Sequence, residues 1–192
     1  MAALINDQAD MRIVGMTGSV MESLEHAADF KPDIVLVDYH LGDGKGTEAA
    51  VAVRQAHPTA RVIVLSHDDG VAARFAALQA GASAFIHKSN GGSNVLQAIR
   101  DVANGKSLFT PGDVATLIAA GKEIDGRRAS LSHREIEILR LMAAGMSSRD
   151  IATALVIGYT TVRTHIRSIG QKLDAHSKVE VVLKARKLQL LD

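Results

Sequence analysis

The chain has no cysteine among its 192 residues, which excludes disulfide staples and thiolate metal sites. It also lacks any apolar run long enough to cross a bilayer, and nothing in it reads as the basic start, apolar middle and cleavage site of a secretory leader. The expectation is a soluble, cytoplasmic protein with no membrane partner. There is no phosphate loop of the GxxxxGK[ST] type, and His26, His40, His57, His67 and His87 show no metal-ligand spacing. Nor does any other nucleophile and base pair stand out, so an independent metabolic enzyme is not expected.

Net charge is equally small, only +1 over the whole chain, but it is unevenly spread. Residues 127–192 hold twelve Lys/Arg against six Asp/Glu, whereas residues 1–126 hold ten against fifteen. The basic end is the one expected to approach a polyanion.

In the acidic part, Met11–Met16 (MRIVGM), Ile34–Asp38 (IVLVD), Val62–Ser66 (VIVLS) and Ala84–His87 (AFIH) are short apolar runs. Helical stretches near 21–28, 47–56, 70–80 and 92–104 separate them. Near-continuous apolar strands alternating with helices predict an α/β domain, a parallel sheet covered on both faces. Ligands of such sheets gather beyond the carboxyl ends of the strands, where Asp38, Ser66 and Lys88 fall. Any one of them is ordinary strand-end polarity. Together, a carboxylate nucleophile, a hydroxyl for a transferred oxygen and an ammonium to neutralise it make a phosphoryl-acceptor site. The glycine-rich LGDGKG that follows Asp38 either folds closely around the acceptor or is a flexible turn.

From Gly105 to Ser130 a Pro-Gly pair, a short apolar segment suited to one helix and a polar run suggest an interdomain connection. Four helices are then expected. Ser132 and Glu135 have capping-box spacing, and Gly145 ends the first helix. Ser147 or Ser148 caps the second, and Gly158 marks a tight turn. The third, Thr160–Leu173, sets Val162, Ile166, Ile169 and Leu173 on one face and Arg163, Thr164 and Arg167 on the other. Two short helices around a turn, the second one basic, are how a small domain enters the DNA major groove. Arg163, Thr164 and Arg167 are the candidate base contacts, and Arg149, Lys172 and Lys178 the candidate phosphate contacts. The fourth helix, Ser177–Leu188, carries an apolar stripe (Val179, Val182, Leu183) that suits either core packing or two-fold pairing.

With these residues in view, the chain resembles a two-component response regulator of the NarL/FixJ group, a receiver domain followed by a LuxR-type helix-turn-helix. LSHREIEILRLMAAGMSSRDIATAL and TVRTHIRSIGQKL carry the output-domain resemblance, and residues from about 12 to 105 carry the receiver's. The resemblance implies Asp38 as phosphoacceptor and Mg²⁺ ligand, Ser66 and Phe85 as switch residues and Lys88 as the active-site lysine. It also implies a flavodoxin-like fold, double-stranded DNA and a homodimer as partners, and a sensor histidine kinase upstream. Gly42 stands where proline is usual, and Gly158 where serine is usual. The acidic pair that holds Mg²⁺ in such receivers has no match, since Asp7 and Asp10 precede the second strand, and the first strand is missing.

The expected organisation is therefore a truncated or atypical receiver over 1–108, a linker with a short helix over 109–130 and a four-helix DNA-binding domain over 131–192. The expected function is sequence-specific transcriptional regulation that does not require phosphorylation. The alternatives are a regulator switched at Asp38, with Mg²⁺ as cofactor, and an interaction module that modulates another regulator.

Overall fold

The computed structural model describes residues 1–191 and divides into two compact units, Met1–Ile118 and Ala119–Asp192. The first opens with helices α1 (Ala2–Asn6) and α2 (Val20–Phe30). Strand β1 (Ile34–Asp38), a two-residue ladder of β2 (His40–Leu41) and β3 (Gly44–Lys45), and α3 (Gly46–Ala56) follow. Then come β4 (Arg61–Ser66), α4 (Val71–Gln79), β5 (Ala84–His87), a 3-10 turn at Lys88–Asn90 and α5 (Gly91–Ala103).

The sheet is parallel, in the order β1-β4-β5. Alternation along β4 decides what covers it. Val62 and Val64 pack with Ala49 and Ala50 of α3 and Ala73 and Ala77 of α4, whereas Ile63 and Leu65 pack with Val95, Ala98 and Val102 of α5. Both faces are thus dry, which is why these strands read as continuous apolar runs. The register sets Asp38 opposite Leu65 and Ser66 opposite His87, bringing three strand ends to one edge.

One expected strand does not form. Met11–Met16 has no regular secondary structure, and Met16 is 71% exposed. A strand needs a neighbour to satisfy its backbone, and among the described residues β1 pairs only with β4. The sequence pattern registered β-propensity; the missing ladder partner overrides it. The glycine-rich loop, in contrast, is ordered. Its β2-β3 ladder turns through Gly42 and Asp43, and Asp43 accepts the Val20 and Met21 N–H groups at 2.8 and 3.1 Å, capping α2.

The stretch expected to hold one short helix forms a 20-residue helix, α6 (Pro111–Ser130). Thr110 and Asp113 cap its start reciprocally, and Glu123 pairs with Arg127 one turn on at 2.8 Å. The second unit contains α7 (His133–Ala143), α8 (Ser148–Ala154), α9 (Tyr159–Lys172) and α10 (Lys178–Lys187) around Ile138, Leu139, Ile151, Val162, Ile169, Leu173 and Val181. Among the described residues no helix is long and apolar enough to cross a membrane.

Gly46 marks the tightest approach to backbone in the first unit, because a β-carbon there would lie 1.8 Å from the Asp38 carbonyl oxygen and 2.7 Å from Val37 Cγ2. Replacing it with alanine should cost about 1–3 kcal/mol or more, as overpacking against backbone does. Urea unfolding followed through β1 and β4 amides by NMR checks this; wild-type stability of Gly46→Ala would contradict the packing described.

A candidate nucleic-acid interface and a strand-end carboxylate site

In the second unit, two capping boxes fix where the helices begin. Ser132 Oγ accepts the Glu135 N–H while Glu135 accepts the Ser132 N–H, and Ser147 and Asp150 repeat the exchange at α8. Gly158 caps α9 without a side chain, as the extended backbone at that position permits. The Leu155 carbonyl that ends α8 accepts from Arg134 of α7 at 2.9 Å.

Glu135 does more than cap. Its buried carboxylate also takes Ser168 Oγ at 2.7 Å and Lys172 Nζ at 2.6 Å, both from α9. Burial pushes its pKa up, but the hydrogen bonds from Lys172, Ser168 and Ser132 outweigh it and hold the value at about 2. One carboxylate thereby ties the start of α7 to the middle and end of α9. Spacing in the sequence gives only its capping role; Ser168 and Lys172, one helical turn apart on a facing helix, are the further signal.

The rest of the polar side of α9 is open. Arg163, Thr164 and Arg167 are all exposed, with Arg163 and Arg167 one turn apart on one face. Thr164 Oγ1 donates to the Thr160 carbonyl at 3.1 Å, which leaves its methyl group and lone pairs outward. Tyr159, four residues before Arg163, heads the same row. Arg149 of α8 is exposed, with its guanidinium carbon 6.0 Å from the Tyr159 ring centroid. The structure treats the other two basic candidates differently: Lys172 is engaged by Glu135, and Lys178 Nζ donates to the Met146 carbonyl at 2.6 Å. On α10, Val181 and Ala185 are buried and Val182 is half-buried, whereas Val179 and Leu183 are exposed one turn apart.

At the sheet edge of the first unit, Lys88 Nζ is paired with Asp38 Oδ2, and the His40 N–H reaches Oδ1 at 3.3 Å. Ser66 is fully buried, its Oγ accepting the Asp68 N–H at 2.9 Å. Phe85, opposite Val64 in the ladder, is half-buried on the α3/α4 side. The strand ends therefore gather Asp38, Ser66 and Lys88 at one edge.

A divalent ion is a different matter. Among the described residues no three His, Asp or Glu side chains come together as a metal's ligand set. Asp43 is held below the usual carboxylate range by the Val20 and Met21 N–H groups that it caps. Asp10 is held low by Arg100, which it meets at 2.8 and 3.0 Å. These donors do not fit Mg²⁺.

Two family models match the chain: the response regulator receiver domain over residues 1–100, and the bacterial regulatory proteins of the luxR family over residues 129–185. The response regulator protein VraR of Staphylococcus aureus is 30% identical over 184 residues, 96% of this chain and 88% of VraR. RcsB of Salmonella enterica serovar Typhimurium, solved bound to promoter P1flhDC with the phosphomimetic BeF3-, shares the fold. Its TM-score is 0.58 at 20% identity, over 96% of this chain and 89% of that one. A LuxR-family two-component response regulator from Aurantimonas sp. SI85-9A1 aligns with a TM-score of 0.54 at 26% identity, over 62% of this chain and 85% of that one.

The Glu135 cluster gives the second unit a defined acid sensitivity. A carboxylate whose pKa falls from 4.5 to about 2 on folding stabilises the fold fully above about pH 4.5 and loses that contribution as pH falls toward 2. The shift corresponds to about 3 kcal/mol. Glu135→Gln should remove most of this pH dependence and lower stability at pH 7, read from urea unfolding of the full chain through α9 amides by NMR. A Gln variant with the wild-type slope between pH 4.5 and 2 would show that Glu135 does not carry it.

Proposed function

Since the chain belongs to the response regulators that join a receiver domain to a luxR-family regulatory domain, we propose that it regulates transcription as a DNA-bound homodimer whose DNA binding does not depend on phosphorylation of Asp38. The observation that carries the DNA reading is the exposed Arg163-Thr164-Arg167 surface of α9, a helix that Glu135 ties to α7. A helix so presented enters the major groove, where Arg163 and Arg167 donate to guanine O6 and N7 and Thr164 meets a neighbouring base edge. Arg149 and Lys178, which keeps donors beyond the one given to Met146, serve the phosphates. Lys172 acts instead as the inner clamp of α9. Val179 and Leu183 form the two-fold contact that matches paired half-sites. The relative RcsB was solved on promoter DNA, which favours the same use here.

In this reading residues 1–108 are the receiver, 109–130 the connection and 131–192 the output domain, working in the cytoplasm without an enzymatic role. Independence from phosphate is supported by the donor set around Asp38, which among the described residues offers Mg²⁺ no ligand cluster. Without a well-held divalent ion, charge developing on the transferred phosphoryl group goes largely unneutralised. The switched alternative rests on the same gathering of Asp38, Ser66 and Lys88, and it implies a histidine kinase partner.

Arg163→Ala and Arg167→Ala should each weaken binding to a duplex selected from a randomised pool by roughly 5- to 150-fold, while binding to unrelated duplexes changes far less. Fluorescence anisotropy at fixed salt measures both, and equal losses on both duplexes would refute base contact. Incubation with acetyl phosphate and Mg²⁺ should add no phosphoryl mass at Asp38, and Asp38→Ala should bind the selected duplex as wild type does. A phosphoryl adduct that requires Asp38 and tightens binding would establish the switched alternative.

A further inference from the structure

Tyr159 is a large aromatic side chain left 45% exposed at the first position of α9, and the hydrophobic cluster of the second unit does not include it. It is therefore not a core residue that happens to sit at a helix start. Its place in the helix is informative, because positions 159, 163 and 167 follow one another at i, i+4 and i+8, a single row along one face. Tyr159 extends the Arg163-Arg167 row by one turn toward the N-terminus, the end of a recognition helix that reaches the base edges.

Three further observations set the chemistry of this end. The Arg149 guanidinium carbon lies over the ring, 6.0 Å from its centroid, at the outer limit of a cation–π contact. The first turn of α9 holds no acidic residue, so nothing there repels a polyanion. Val156, in the turn before α9, is 90% exposed with φ of 53°. A β-branched residue in the left-handed region is unfavourable, and such backbone gathers at functional segments. The head of α9 is thus apolar and aromatic with a cation over it, and the apolar feature of the major groove is the thymine methyl group.

We infer that Tyr159 is a specificity-determining residue that packs against a thymine methyl in the major groove, with Arg149 as the positioning residue that holds its ring. This rests on α9 being the groove helix. Arg149 has two separable parts in it, a charge near the phosphates and a planar surface on the ring. Lysine keeps the first and loses most of the second.

The test uses the full chain. Wild-type protein first selects a site from duplexes with a randomised core, and each thymine of that site is then replaced in turn by deoxyuracil, which removes only the methyl. One thymine per half-site should be methyl-sensitive, with wild-type affinity falling roughly four-fold, the worth of one buried methyl. Tyr159→Ala should bind the thymine and uracil forms equally, and Tyr159→Phe should discriminate as wild type does. Arg149→Lys should keep the salt dependence of binding and lose part of the discrimination, whereas Arg149→Ala should lose part of both. A circular dichroism spectrum and thermal unfolding midpoint of Tyr159→Ala matching wild type verify that the variant is folded. The inference is overturned if no thymine methyl matters, or if Tyr159→Ala retains the wild-type methyl sensitivity. If wild type enriches no sequence at all, it is the groove-helix reading that fails.

Discussion

The exposed Arg163-Thr164-Arg167 helix depends on a buried carboxylate that belongs to another helix. Glu135 lies under α9 and receives Ser168 and Lys172 from it, while its other bonds hold the first turn of α7. Removing a charge from water costs several kcal/mol unless hydrogen bonds replace the hydration. Here two hydroxyl or ammonium donors and one backbone donor replace it. Because the cluster has few alternative geometries, it fixes the rotation of α9 about its own axis. A helix with apolar residues on one face can roll by some degrees at little cost, and a roll would carry Arg163 and Arg167 off their line. The ion pair converts a packing preference into a defined orientation, a specificity role that buried polar groups fill in some systems.

The first unit follows a different logic. Its sheet is organised by β4, which pairs on both sides and is dry on both faces. The register that packs Val62 to Leu65 also delivers Asp38, Ser66 and Lys88 to the edge where the parallel strands end. Gly46 belongs to the same arrangement, letting α3 start against the carbonyl of Asp38 itself. Core and site share one set of constraints in this unit, whereas in the helical unit the buried Glu135 cluster mediates between them.

Much of this was legible in the residues. Capping spacings located α7 and α8, and apolar periodicity separated the inner from the outer face of α9 because each helix buries one stripe. Strand ends placed the carboxylate site for a similar reason, since the runs IVLVD and VIVLS stop where burial stops. What stayed hidden depends on partners distant in sequence. MRIVGM has the composition of a strand, but no propensity can supply the neighbour it lacks. Lys172 looked like a phosphate contact because basic residues on a basic helix are usually outward; its partner lies 37 positions earlier. The connection expected over 109–130 holds a 20-residue helix and not a short one, supported by a capping exchange at Thr110 and an ion pair one turn apart.

The two units also differ in how they are reached from the unfolded chain. Parallel pairing of Ile34 with Arg61 and of Ile63 with Ala84 closes a long loop before any ladder bond forms, whereas α7, α8 and α9 meet their neighbours across short turns. Folding rates fall as contacting residues lie farther apart along the chain. Synthesis releases the sheet-forming segment first, but the helical segment is the quicker to fold. β4 thus stays without ladder partners until both neighbours have been carried across those loops, and in that interval its apolar run is open to association with other chains.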